Sequence, residues 1–298
     1  MIDALLAPFH FAFMQQAFLL ALLVAIPCAI LSCIVVLKGW SLMGDAIAHA
    51  VLPGLILAYL LAIPFAIGAF IAALCCASAT GYISKHSRIK QDTAMGVVFS
   101  VMFALGLLLM TKVETGLHLD HLLYGDLLAA HWALIIEIAI VATIIIAVLL
   151  LQGKDLVMVV FDTCHAQVIG LNTQVLHYGL LALLSMLIVS ALQAVGMILV
   201  IALLIAPGAI AFMLCSRFAT MMATSLGIAS FASMAGVYVS FYLDSAPAPT
   251  IILLLSVLFV VSFTVQLWRN QRLLSLENSP KSNLNKVAGK ISLNTSKP

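Results

Sequence analysis

In a chain with 8% charged residues, the stretch GDAIAHAVLPG (44–54) sets Asp45 and His49 four residues apart and Pro53 four further on. On a helix, residues i and i+4 project from one face. A carboxylate beside an imidazole makes a mixed oxygen–nitrogen pair suited to Mn²⁺, Fe²⁺ or Zn²⁺. Proline has no N–H to donate, and its ring collides with the carbonyl four residues back. That carbonyl belongs to His49, so it is free to face an ion or water, as in interrupted transporter helices. A plainer reading also fits. Asp45 caps a helix near a membrane surface and His49 bonds a neighbouring helix, since the seven residues from Lys38 to Asp45 span only about 10 Å of helix. Spacing alone leaves both readings open. An ionised aspartate at mid-membrane costs about 2.5–3.5 kcal/mol on insertion scales, so at depth it requires compensation.

A second cluster lies in KVETGLHLDHLLYGDLLAAH (112–131), which carries Glu114, His118, Asp120, His121, Asp126 and His131. Imidazoles and carboxylates at this density suit a funnel or gate for a divalent cation, with His118 and His121 at i and i+3 of a short re-entrant helix. An ordinary solvated loop explains the charges equally well but gives no reason for the histidines.

The elements that must position these groups are membrane helices. The chain is 64% hydrophobic with mean hydropathy +1.23, far from the composition of a soluble domain. At about 20 apolar residues per crossing, spans are expected near 13–36, 46–62, 65–84, 94–111, 132–151, 175–192, 195–214, 219–242 and 250–268. The fold class is therefore all-α, a polytopic transmembrane bundle of nine helices. If all nine cross, Lys38, Lys85, Arg88, Lys90, Lys154, Arg217, Arg269 and Arg272 fall on one side and Lys112 on the other. The positive-inside rule then sets the N-terminus outside and the C-terminus in the cytoplasm. The N-terminus lacks a basic n-region and its first apolar run is too long for a signal peptide, so the first span is expected to stay. Residues 1–274 form the permease domain on this reading, and 275–298 a polar, disordered cytoplasmic tail.

Other residues attract simpler assignments. Asp92 and Asp162 each precede an apolar run and read as N-caps or first-turn carboxylates. Glu137 lies within reach of the outer interface, with a pathway role open. His165 and His177 read as surface or packing residues, and His10 and His86 as interfacial. In VGMILVIALLIAPGAIAFML (195–214), Ala202, Ala206 and Ala209 permit close helix contact and Pro207 a kink. The six cysteines contain no CxxC pair, so a disulfide framework is not expected. The net charge of +2 gives no case for nucleic acid. There is no GxxxxGK[ST] sequence for a phosphate-binding loop, and neither HExxH nor GxSxG, so no covalent chemistry is expected of this chain. Copper is disfavoured by the absence of paired sulfur ligands.

Four stretches resemble the integral-membrane permeases of bacterial ABC importers for manganese, iron and zinc. These are LKGWSLMGDAIAHAVLPG (37–54), DTAMGVVFSVMFALGLLLM (92–110), HLDHLLYGDLL (118–128) and VGMILVIALLIAPGAIAFML (195–214). The likeness covers residues 10–270, is most specific in the first stretch, and looks nearest to the iron/manganese branch. It implies two permease copies, identical or related, driven by two cytoplasmic ATPase subunits and supplied by an extracytoplasmic metal-binding protein. No permanently bound cofactor is implied; the divalent ion is the cargo. Asp45 and His49 match the family's pathway ligands, with Glu114, His118, His121 and Asp126 as outer candidates. FDTCHAQVIGLN (161–172) resembles the segment that couples to the ATPase, through Asp162, Ala166 and Gly170. Two positions depart from the pattern: Ala48 stands where serine is expected, and Cys164 where a charged residue is.

Three other functions remain in view. A proton-coupled secondary metal transporter would use the same ligands but needs acidic residues deep in several helices, and here only Asp45 qualifies. An ABC permease for a metal chelate needs a wide conduit. A membrane scaffold or enzyme leaves GDAIAH unexplained.

Overall fold

The computed structural model describes residues 7–113, 125, 127–128 and 130–294, with side chains through 271. Its helices are α1 (Ala12–Lys38), α2 (Met43–Leu60), α3 (Phe65–His86), α4 (Gln91–Lys112), α5 (Trp132–Phe161), α6 (Thr163–Val168), α7 (Thr173–Val195), α8 (Met197–Leu214), α9 (Phe218–Tyr242) and α10 (Pro247–Asn294). Among the described residues nine helices are long and apolar enough to cross a membrane, all of these except α6, with α10 counted over Pro247–Gln271. The expected all-helical bundle and its nine spans are thus observed.

Contacts between helix ends fit an alternating path. Phe161 at the end of α5 meets Phe218 at the start of α9 edge-on at 6.4 Å, and Arg269 near the end of the α10 span donates to the Leu214 carbonyl at the end of α8. Lys38, Lys85 and Gln91 line one cavity with Val159 and Thr163 at the same end of α5, so Lys38, Lys85 and Lys90 share one end of the bundle with Arg217 and Arg269, as the charge count requires.

The central helix is α1, because its sequence offers small residues at helical spacing. Ala17, Ala21, Ala25 and Ala29 form an i, i+4 stripe that is 0–2% exposed. Such a stripe lets neighbouring backbones approach where lipid supplies no hydrophobic drive between helices. Two polar contacts fix its neighbours. Ser225 on α9 donates to the Ala29 carbonyl at 2.9 Å, and Ser32 accepts from the Gly208 N–H on α8 at 2.9 Å. The second bond gives a partner to an N–H just past Pro207, where the helix ladder is interrupted. In α8 the close approach falls to Gly208, while Ala202, Ala206 and Ala209 are only half-buried.

Two boundaries differ from expectation: α10 continues to Asn294, through the segment read as a disordered tail, and the end of α5 lies elsewhere. The segment 152–161, read as the start of an inner connection, continues α5 without a break to Phe161. Gln152, Lys154 and Asp155 interrupt the hydropathy but not the helix, so α5 reaches about 45 Å and carries the next segment beyond an ordinary bilayer core.

Candidate metal site

The α2 helix holds the Asp45–His49 pair. No side chain caps it, and Asp45 sits in its first turn, where the positive end of the helix dipole favours a carboxylate. Nε2 of His49 lies 3.4 Å from Oδ1 of Asp45, with the two side chains 25% and 41% exposed respectively. The i, i+4 prediction of a shared face is realised. The other ring nitrogen, Nδ1 of His49, is buried with no hydrogen-bond partner.

Depth follows from the partners of His49. Its ring stands 5.4 Å from Phe99 and 5.3 Å from Phe103, the ninth and thirteenth residues of the 22-residue α4. These lie about 12 and 18 Å along a helix of about 33 Å. His49 is therefore near the middle of the bundle, although it lies in only the second turn of its own helix. Further contacts agree. The Cys76 thiol, midway along α3, donates to the Ala46 carbonyl at 3.9 Å, and a methyl on Gly44 would meet Leu204 of α8 at 3.5 Å. Asp45 forms no N-cap bond, so the capping alternative fails; the N-cap position is Leu42. Beside His49 lies a cavity of about 30 Å³ walled by Ala48, Val51, Leu52, Leu55, Phe103, Leu192 and Met197.

The backbone around the pair is held by a close crossing. Gly54 and Ala58 on α2 meet Gly68 and Ala72 on α3, so that a methyl on Gly54 would fall on the Gly68 carbonyl oxygen and within 2.5 Å of the Ala72 methyl. On the other side, a methyl on Gly106 of α4 would meet Leu52 and Pro53 at 3.0 Å.

Among the described residues no three His, Cys, Asp or Glu side chains converge to hold an ion. Among the described residues Asp45 and His49 are thus two candidate ligands, short of a tetrahedral or octahedral shell. Glu114, His118, Asp120, His121 and Asp126 lie outside the described residues. His131 is exposed immediately before α5. Within that outer segment Gly125 has φ +61°, and a side chain there would strike the backbone at Val195 and Gly196, the turn between α7 and α8. Glu137 is not with the pair; it lines a separate cavity of about 350 Å³ with Leu55, Pro64, Phe65 and Gln193.

The 161–172 segment forms a built corner. Asp162 is the N-cap of α6, its Oδ1 accepting from the His165 N–H at 2.9 Å. Ala166 is fully buried, and Gly170 has φ +91°, a conformation natural to glycine. Asp92 lies in the first turn of α4. His177 packs edge-on to Trp40 at 5.2 Å, as a packing histidine should, and Nδ1 of His86 donates to the Tyr82 carbonyl at 2.9 Å at the exposed end of α3.

Two partners of the pair escaped the sequence reading. Phe99 and Phe103 are an i, i+4 aromatic pair in VVFSVMFA, a spacing that does indicate one helix face but not which neighbour it meets. The Gly54/Ala58 and Gly68/Ala72 pairs carry the small-xxx-small signal for close crossing.

The model of the ABC 3 transport family matches residues 10–266. The chelated iron transport system membrane protein YfeD of Yersinia pestis is 49% identical over 255 residues, 86% of this chain and 86% of YfeD. The manganese transport system membrane protein MntB of Synechocystis sp. is 43% identical over 258 residues, 87% of this chain and 84% of MntB. Among solved structures, PsaBC from Streptococcus pneumoniae in complex with Fab superposes with a TM-score of 0.78 at 34% identity, covering 88% of this chain and 95% of that one.

Proposed function

This chain belongs to the ABC 3 transport family, and from that premise we propose that it is the membrane-conducting subunit of an ATP-driven importer for Mn²⁺ or Fe²⁺, with Zn²⁺ the third candidate. It is a multi-pass protein of the bacterial inner membrane, and its conducting role involves no covalent step. The observation that carries the reading is the mid-bundle Asp45–His49 pair on a helix braced by glycine contacts. An oxygen and a nitrogen ligand suit these ions, and relatives are named for iron and for manganese.

Two ligands per chain hold an ion only in part, which favours passage, since a conduit must release what it binds. A second permease copy would present another pair, and water the remainder. Ions delivered by an extracytoplasmic binding protein would enter past Glu114, His118, His121 and Asp126. On the opposite face, the side that lysine and arginine assign to the cytoplasm, ATPase subunits would grip the corner of Asp162, Ala166 and Gly170. Cytoplasmic ATP hydrolysis would then reach α7 through this corner and switch access to the pair.

A chelate cargo is the second reading, prompted by the name of the YfeD relative. The cavity of about 30 Å³ at His49 is water-sized, against the several hundred Å³ of an organic ligand site. That supports a bare ion.

The test is multi-element mass spectrometry of cells expressing the chain with its ATPase and binding protein. One metal should accumulate with wild type and not with His49→Ala at equal membrane abundance. Accumulation that survives His49→Ala overturns the site, and accumulation that survives loss of the ATPase makes the chain a secondary transporter.

A further inference from the structure

At the lysine-rich end of the bundle, a cavity of about 300 Å³ opens between α1, α3, α4, α5 and α7. Its polar lining includes Lys38 and Lys85, which can only donate, and Gln91, His177 and Tyr178, which can donate. None of the lining residues is a carboxylate. Among the described residues, neither lysine has a carboxylate oxygen within 4.0 Å, the one such pair being Asp45–His49. Lys38 is held in place, its Nζ 4.5 Å over the ring of Trp40. Nε2 of Gln91 is buried without a hydrogen-bond partner, an arrangement that costs free energy unless something accepts from it. Two ammonium groups and an unused amide donor around one space suit an anion with several acceptor oxygens.

Position narrows the anion. Lys38 ends α1 and Lys85 lies in the last turn of α3, at the level where helices meet lipid headgroups. A second cavity, of about 250 Å³ and lined almost wholly by apolar groups, lies further in along the same face of α5. Val148, Gln152 and Leu156 line it, and Val159, on the same face of α5, lines the polar one. On α7 the two diverge, Leu176 and Leu180 walling the apolar cavity while His177 and Tyr178, on a different face of the helix, wall the polar one. A basic space at headgroup level with an apolar space inward of it matches one molecule with a phosphate at one end and acyl chains at the other.

We propose that the Lys38–Lys85–Gln91 cavity binds the phosphate of an acidic phospholipid, whose chains run inward along α5. The site adjoins the corner that carries α6, because Thr163, Gln167 and Thr173 also line it. A bound lipid would then brace the segment that links α5 to α7. The inference holds whichever ion the chain conducts.

The test is native mass spectrometry of the full chain released from bilayers containing phosphatidylglycerol or only phosphatidylcholine. Wild type should retain phosphatidylglycerol and not phosphatidylcholine. Lys38→Gln/Lys85→Gln should weaken retention about tenfold or more, since each lysine near an anionic headgroup contributes measurably. Gln91→Ala, which leaves both charges, should weaken it less, and Lys154→Gln, an exposed lysine outside the cavity, should leave it unchanged. Monodisperse elution of each variant establishes that it is folded. Equal retention by the double variant and wild type overturns the proposal, as does equal retention of the two lipids. Displacement by millimolar inorganic phosphate would assign the cavity to the free anion instead. Retention unchanged in the double variant, with loss of co-purifying ATPase subunits, would make it a protein-docking site. None of these outcomes depends on metal accumulation, so failure here is separable from failure of the transport reading.

Discussion

Gly54→Ala adds one methyl at the crossing that braces the site helix. That methyl would lie on the Gly68 carbonyl oxygen and 2.5 Å from the Ala72 methyl. Carbon atoms settle at about 3.5–4.0 Å, so α2 and α3 must part by roughly 1 Å. Backbone stands on the far side of the contact, and no side-chain rotamer can relieve it. Overpacking of this kind costs about 1–3 kcal/mol. The shift also reaches the site, because Leu52 and Pro53 rest against α4 at Gly106 while His49 lies against Phe99 and Phe103 on the same helix. Two assays read the outcome: thermal unfolding of the purified chain in detergent, and metal accumulation in cells at matched membrane abundance. Both should fall for Gly54→Ala. Gly68→Ala should resemble it, and the double variant should cost less than the two singles together, since one separation relieves both clashes. Gly227→Ala is the control: nothing lies within 4 Å of its added methyl, and alanine is about 1 kcal/mol better than glycine inside a helix. If Gly54→Ala matches wild type in both assays, the close crossing does not brace the site.

Gly208→Ala should lower thermal stability by a similar about 1–3 kcal/mol; Ser32→Ala should rescue it only in part, because the Ser32 carbonyl oxygen, 2.6 Å from the added methyl, remains. Pro53→Ala restores an N–H opposite the His49 carbonyl and removes a residue that costs about 3 kcal/mol in a helix interior. Unfolding should then occur at equal or higher temperature while metal accumulation falls, and unchanged accumulation would show that the carbonyl has no part in the path. Asp162→Ala removes the α6 cap, worth about 1 kcal/mol, and should reduce transport-coupled ATP hydrolysis in the assembled complex with little change in the unfolding temperature of the isolated chain.

The nine spans were legible because each crossing must bury about 20 residues in hydrocarbon, which leaves a run that few other constraints produce. The Asp45–His49 face was legible for a similarly local reason, since i and i+4 meet on any helix. What hydropathy could not mark was the end of α5: Gln152, Lys154 and Asp155 suit water, and a helix that leaves the membrane continues as readily as it stops. Depth was illegible for the same reason in reverse. Counting residues from Lys38 suggests a shallow Asp45, whereas α2 begins inside the bundle, where Phe99 and Phe103 set its height. Only tertiary contact carries that information. The close crossing lay between these cases. Gly54/Ala58 and Gly68/Ala72 are readable as small pairs, but their meeting is a fact of how α2 turns into α3 at Pro64.

These features bear on why the site helix begins where it does. A helix start at mid-bundle directs the positive end of its dipole towards Asp45, stabilising the carboxylate and offsetting part of the cost of a charge at that depth. The same dipole opposes a bound cation, so on the proposed reading it weakens a site that already has only two ligands per chain. Yet the backbone under those ligands is tightly fixed: Gly54 against Gly68, Pro53 against Gly106, and the Ala46 carbonyl against the Cys76 thiol. On the proposed reading, rigid placement with poor coordination favours passage over storage, because the ion would meet these groups in one geometry and gain too little there to stay. On this argument, added ligands near the pair should tighten binding and slow transport. Ala48, on the turn between Asp45 and His49, is the natural position to test it. Ala48→Asp should raise the metal retained by the purified chain while lowering the rate of accumulation in cells, and a variant that raised both would refute the argument.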